Sequence, residues 1–431
     1  MFGRLLTFAR SPTSRAFAIS FAPTALALAL QLVTFVLLGR MLGAVNFGLL
    51  SAVLALAAVM VEICGLGSGD VLVRGVVTKP KMFSEYFGNA IVLGALSLPV
   101  TVIAGFAVST LGLRLAITPL PLIALLTSEI LNSRVSGTVE NIFVAHRDVA
   151  KGSIVRLATS GSRFLLAVVA LGVLHVRSLD TWIWCCFGVS LATSAAFLAL
   201  AAWAYGRPRL FIAKSELGAG VLFATNQTAR AAQSNLDRAF MTAVAVGPII
   251  GAYAAASRVV QLALFPIQIA NRILYPRFFA HGAAGGLKAT RRFALRCAPM
   301  VLALGFGCGL VVAGAAFALP RLMGPDFKST TPIAVGLAIA LPLMSMQYLP
   351  VDALTASGRL GLRTALYTGL SVTFSAGLAL GAKFFGVWGL VSAFVGGQAV
   401  MAIVLWGFLL LVHEAPEEKN EDLSGTGAIV D

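Results

Sequence analysis

Long apolar runs follow one another along nearly the whole of this 431-residue chain, and only 11% of its residues are charged. An ordinary soluble domain carries about 25%. With 58% hydrophobic residues, a single water-facing core could not hide the apolar surface, so lipid must serve as solvent. Soluble globular, disordered and fibrous chains are thereby excluded. Glycine is frequent, at 43 residues, but without a period of three, which excludes collagen. The five cysteines have neither metal-ligand spacing nor a disulfide framework, and Cys185-Cys186 reads as small apolar filler.

A spanning helix needs about 20 mainly apolar residues. Twelve such spans are expected, near 16–38, 47–68, 86–110, 115–138, 153–174, 181–205, 217–242, 248–276, 293–319, 331–354, 362–382 and 385–412. The fold class is therefore an all-α integral membrane protein. Residues 1–15 form a basic start, with Arg4, Arg10 and Arg15, and 413–431 an acidic, disordered tail. Counted by loop, twenty Lys and Arg residues fall on the side of both termini and six on the other. This bias places both termini in the cytoplasm. The formal charge of +15 then mostly faces anionic headgroups, and nucleic acid is not expected as a partner.

Apart from Arg156, Arg296 and Arg363 at span ends, counted with the loops, six arginines remain inside spans: Arg134, Arg163, Arg230, Arg238, Arg258 and Arg272. A central Arg costs about 2.5–3.5 kcal/mol on insertion scales, and such residues face a cavity or a partner. Span 7 carries Asn226, Gln227, Arg230, Gln233, Ser234, Asp237 and Arg238, a polar stripe about 140° wide at helical spacing. Span 8 carries Arg258, Gln261, Gln268 and Arg272 within about 80°. Two consecutive cationic, amide-rich stripes predict a water-filled cavity for anions. Asp237 is open to two roles, neutralising Arg230, Arg238 or Arg258, or coupling transport to an ion. Flanking arginines favour the first. Glu129 pairs with Arg134 or Arg163, or takes part in the same coupling, on a polar face of span 4 that also holds Asn132, Ser133 and Glu140.

Some motifs carry no chemistry. His146-Arg147-Asp148 lacks the glycine-rich loop and lysine-bearing strand of a kinase. Gly65-Leu66-Gly67-Ser68-Gly69 and Gly305-Phe306-Gly307-Cys308-Gly309 lack the strand-then-helix context of a nucleotide loop, and read as close packing or a local break. The four histidines are too dispersed for a metal site, so neither a metal nor any other cofactor is expected.

The halves echo each other. Phe47-Gly48 matches Ile250-Gly251 at an offset of 203, and Ala145-His146-Arg147 matches Ser357-Gly358-Arg359 at 212. Equal orientation and similar offsets predict two parallel six-helix halves about a pseudo-two-fold axis along the membrane normal: an N-lobe at 16–205, a cytoplasmic linker at 206–216 and a C-lobe at 217–412.

Leu38-Gly39-Arg40-Met41-Leu42-Gly43, followed by Asn46-Phe47-Gly48, resembles the first loop of the polysaccharide-transport branch of the multidrug/oligosaccharidyl-lipid/polysaccharide exporter superfamily. Asp237-Arg238, Gly251-Ala252-Tyr253, Ala256-Ser257-Arg258 and Tyr275-Pro276 resemble its helices 7 and 8. Ala356-Ser357-Gly358-Arg359 and Phe385-Gly386-Val387-Trp388-Gly389-Leu390 resemble its last third. The resemblance implies a flippase, not an enzyme, that moves an undecaprenyl-diphosphate-linked oligosaccharide to the periplasmic leaflet of a bacterial inner membrane. The glycan would be an O-antigen, capsule or exopolysaccharide unit. Membrane lipids, a polysaccharide polymerase and export machinery are its implied partners. The family's N-lobe helices contribute to anion binding, whereas here spans 1 and 2 carry little charge beyond Arg15 and Arg40, leaving Gln31 and Thr34 to stand in. Two rivals rank lower. A multidrug or cation antiporter would need an acidic cavity. A membrane-embedded polymerase or acyltransferase should show interfacial catalytic groups and a long periplasmic loop. Reporter fusions at Lys419 and near Arg321 should report opposite sides of the membrane; the same side for both would overturn the orientation.

Overall fold

The computed structural model describes residues 12–412 apart from Arg147 and Val246, and no strand occurs among the described residues. Most of the basic start and all of the acidic tail expected at 413–431 lie outside them. The helices are α1 (Pro12–Ile63), α2 (Ser68–Thr78), α3 (Phe83–Ala107), α4 (Pro119–Ala145), α5 (Val149–Gly172) and α6 (Leu179–Tyr205). They continue as α7 (Leu217–Val244), α8 (Pro248–Ala316), α9 (Leu319–Met323), α10 (Thr330–Ala338), α11 (Ala340–Ala356) and α12 (Leu360–Leu411).

Seven helical stretches among the described residues are long and apolar enough to cross a membrane, against the twelve spans expected. Two features of the helices bear on the difference. First, α1, α8 and α12 each carry two expected spans and bend without a connecting loop. The bends lie at Gly43, at Gly285-Gly286 and at Gly386. Second, α4 and α7 have 27 and 28 residues but are too rich in polar side chains to qualify by hydropathy. On them Glu129, Asn132, Gln233, Asp237 and Arg238 are buried. The outward faces hold Leu96, Val100 and Ile103 on α3, Leu310 and Val311 on α8, and Ile403 on α12, all exposed as lipid contact requires.

The apolar interior gathers in four clusters. The largest joins the two halves of the chain: Phe35, Phe47 and Leu125 share it with Ala254, Met323 and Phe327. Phe47 stands edge-on to Phe35 at 5.0 Å and to Phe327 at 5.9 Å, a run of rings crossing the boundary. Nearby, the Arg40 Nε donates to the Leu322 carbonyl. The echoed pair Gly48 and Gly251 meets at the same end. A Cβ on Gly48 would stand 2.6 Å from the Gly251 nitrogen, and one on Gly251 would collide with the Ala44 carbonyl. Only glycine permits this approach of backbone to backbone.

The glycine run at 65–69 also finds its reason in packing. It breaks the chain between α1 and α2, with Gly65, Leu66 and Gly67 all at positive φ. The break folds around Arg134 of α4, whose Nη2 donates to Ser68 Oγ at 2.6 Å. A Cβ on Gly65 would lie 2.5 Å from the guanidinium. The second glycine run brings α8 against α11, where a Cβ on Gly305 would stand 2.7 Å from the Pro342 Cα.

Gly251→Ala should lower stability by about 1–3 kcal/mol, the cost of forcing a methyl group into a filled space. Thermal unfolding of the purified protein in detergent measures it. Gly307→Ala, on the same helix but with open space around its Cα, serves as control and should leave the midpoint unchanged or higher.

Candidate substrate-binding site

The intramembrane arginines gather around two cavities. The first, of about 340 Å³, lies between α1, α4, α5 and α6 on one side and α7 and α8 on the other. Arg163, Arg238 and Arg258 line it, with Glu129 the one carboxylate in its wall among the described residues. Arg163 Nη2 donates to Glu129 Oε2 at 2.7 Å, so this guanidinium is neutralised. Arg258 is not. Its Nη2 donates to Gln31 Oε1 at 3.0 Å, and Gln31 Nε2 donates onward to Ser160 Oγ at 3.0 Å. Among the described residues no carboxylate lies within ion-pair distance of Arg258. An amide oxygen satisfies the geometry of a guanidinium but leaves its charge uncancelled.

Arg238 is intermediate. It donates to Asn235 Oδ1 on the preceding turn, while its Nε stands 3.9 Å from Asp237 Oδ1, beyond hydrogen-bond length. Asp237 is 2% exposed, and its Oδ2 accepts from the fully buried Tyr253 hydroxyl at 3.1 Å. Of the partners considered for Asp237, the structure places Arg238 beside it. Glu129 lies against Arg163, with Arg134 drawn away into the glycine break.

The second cavity, of about 440 Å³, lies among α7, α8, α11 and α12. Arg230, Gln233, Gln268 and Arg272 line it, together with Asn271, Asp352 and Arg363. The polar stripe of α7 is thus divided: 230, 233 and 234 face this cavity, and 235 and 238 face the first. On α8, Arg258 serves the first cavity and Gln268 and Arg272 the second. Three expected residues reach neither. Asn226 Nδ2 bonds the Leu222 carbonyl of its own helix, Gln261 Nε2 bonds the Ser234 carbonyl, and Gln227 lies outside both linings.

Sequence reasoning had no reason to single out several residues found here. Arg363 reads as part of a cytoplasmic loop but reaches the second cavity from the first turn of α12. Gln347 and Gln398, whose side chains bond each other at 2.7 Å, are isolated amides in apolar helices, and that isolation was the available signal.

The protein is thus a multi-pass, all-helical bundle with charged cavities inside it. Residues 16–281 match the polysaccharide biosynthesis protein family, and the chain belongs to that family. No protein of curated function matches in sequence. Among solved structures the chain is similar to a multidrug-resistance MATE-family transporter of the MOP superfamily in its inward-facing conformation. There the TM-score is 0.70 at 14% identity, covering 90% of this chain and 97% of that one. The outward-facing conformation of a multidrug-resistance MATE-family transporter gives 0.61 at 14% identity, covering 94% and 96%. A MOP superfamily transporter from Pyrococcus furiosus, described as having a binding pocket of reverse polarity, gives 0.62 at 14% identity over 94% and 96%. The fold is MATE-like.

Removing Glu129 strands Arg163, and breaking a buried pair costs about 3–5 kcal/mol. Glu129→Gln should therefore cut the amount of folded protein in the membrane. Adding Arg163→Gln should restore it. Quantitative immunoblotting of membranes compares the two; a double variant no more abundant than the single would refute the pairing.

Proposed function

We propose that this transporter is a flippase for undecaprenyl-diphosphate-linked oligosaccharide, carrying an O-antigen, capsule or exopolysaccharide unit across a bacterial inner membrane. The observation that carries the reading is Arg258, a guanidinium in the cavity between the halves with an amide and no carboxylate as its partner. An unneutralised arginine in a confined cavity is suited to an anion, and its planar fork matches phosphate oxygens. The diphosphate binds there, aided by Arg238 and by Gln31 from α1, while the polyprenyl tail stays in lipid. Asn235, Ser133 and Thr159 in the same wall can meet sugar hydroxyls.

In this reading the chain crosses the membrane twelve times, as two six-helix lobes at 16–205 and 217–412 joined by the linker at 206–216, with both termini cytoplasmic. Division of α1, α8 and α12 at their bends, with α4 and α7 added, supports that count. The end closed by Phe47, Gly48, Gly251 and Phe327 then faces the periplasm, and the lobes rock about it in alternating access. A cell interior that is negative favours outward movement of an anion by about 2.3 kcal/mol per charge per 100 mV, so a nucleotide is not required. Polymerase and export machinery would receive the flipped unit. A cation antiporter is disfavoured, because three guanidiniums face one carboxylate in each cavity.

Arg258→Ala should slow export at least about tenfold at unchanged protein abundance, since a hydrogen bond to a charged group is worth about 1.5–3 kcal/mol. Arg258→Lys should recover it only in part, because a point charge lacks the fork. Glycan export in a strain lacking its own flippase is the measurement. Normal export by Arg258→Ala at normal abundance would overturn the assignment.

A further inference from the structure

We propose that the second cavity, among α7, α8, α11 and α12, binds a carboxylate-bearing sugar of the transported unit, separately from the diphosphate at Arg258. The inference rests on the flippase reading and names a class of glycan for it. Three guanidiniums, from Arg230, Arg272 and Arg363, share the cavity with Asp352 as the one carboxylate. None of the three makes an ion pair among the described residues. The cavity is therefore positive on balance and suited to an anionic ligand.

The uncapped polar atoms say which kind of anion. Gln398 Nε2 and Arg363 Nε are buried donors without a partner, and Asn271 Oδ1 and Asp352 Oδ2 are buried acceptors without one. Gln398 is 1% exposed, so its amide has no recourse to bulk water. A fully ionised phosphate, or the diester diphosphate of a lipid-linked glycan, only accepts hydrogen bonds. It would satisfy the donors and set its oxygens against Asn271 and Asp352. A sugar hydroxyl both donates and accepts, and so meets both kinds of orphan. A carboxylate on that sugar answers the surplus guanidinium charge. Tyr348 and Tyr367 add aromatic walls against which the C–H face of a pyranose can lie. The volume, about 440 Å³, falls in the usual range for small-ligand sites.

Position supports a joint role for the cavities. Ser234 lines this one and Asn235, the next residue of α7, lines the other. In the proposed arrangement the diphosphate occupies the first and an acidic sugar of the same headgroup the second, on neighbouring faces of α7.

Equilibrium dialysis of the purified full-length protein in detergent tests this with four labelled probes: cellobiouronic acid, cellobiose, inorganic pyrophosphate and undecaprenyl diphosphate. The acidic disaccharide should bind at least about tenfold more tightly than cellobiose. Arg272→Gln combined with Arg363→Gln should weaken the acidic disaccharide about tenfold and leave undecaprenyl diphosphate within about twofold. Arg258→Gln should do the reverse. Equal binding of the two disaccharides overturns the proposal, and that wild-type comparison stands even where the double variant fails to fold. A double variant that loses pyrophosphate and undecaprenyl diphosphate as strongly as the acidic sugar also overturns it, by making the cavity a phosphate or lipid-headgroup site. Failure of the flippase reading looks different: undecaprenyl diphosphate would not bind the wild-type protein, whatever the disaccharides do.

Discussion

A guanidinium cannot be left facing hydrocarbon, and the interior of this protein is arranged around that constraint. The arginines expected inside spans meet it in several ways. Arg134 sits in a backbone break folded about it, and Arg163 meets a carboxylate. Arg238 leans on Asn235 with Asp237 close behind, and Arg258 settles for an amide. Arg230 and Arg272 open onto the polar cavity of the second half. The gradient from neutralised to unneutralised charge separates arginines that hold helices together from those free to hold something else.

The apolar runs and the strong charge bias made the membrane-spanning, all-helical character legible without coordinates. The bends were not legible in the same way. Gly43 lies between expected spans and Gly386 at the start of one, but nothing in composition says that a helix will turn there without a loop. The polar stripe on α7 was readable as a stripe. Its division between two cavities was not, because helical phase gives a direction and says nothing of which neighbours stand there. Asn226 and Gln227 share the phase of the stripe but lie toward the start of α7, below both linings. Arg363 was hidden by the opposite effect: a position near a loop masked a side chain that reaches inward.

The carboxylates repeat the lesson on a finer scale. Spacing along one helix puts Asp237 beside Arg238, and the structure agrees, yet its shortest bond is to Tyr253 of the next helix. Glu129 finds its partner on α5, 34 residues on in sequence. Contacts between helices, which no periodicity encodes, decide which charges are cancelled and so where an anion could be held.

The crossing of Gly48 over Gly251 has a mechanical consequence. The echoed segments approach backbone to backbone, with the Ile250 side chain and the rings of Phe47 and Phe327 packed around the contact. In the alternating-access reading such a close joint could serve as a fulcrum about which the lobes tilt. A helix of 27 residues is about 40 Å long, and a tilt of about 10° about one end would swing the other by roughly 7 Å. The smallest side chains in the molecule would then govern its largest displacement, and a single added methyl group there would stiffen the whole lever.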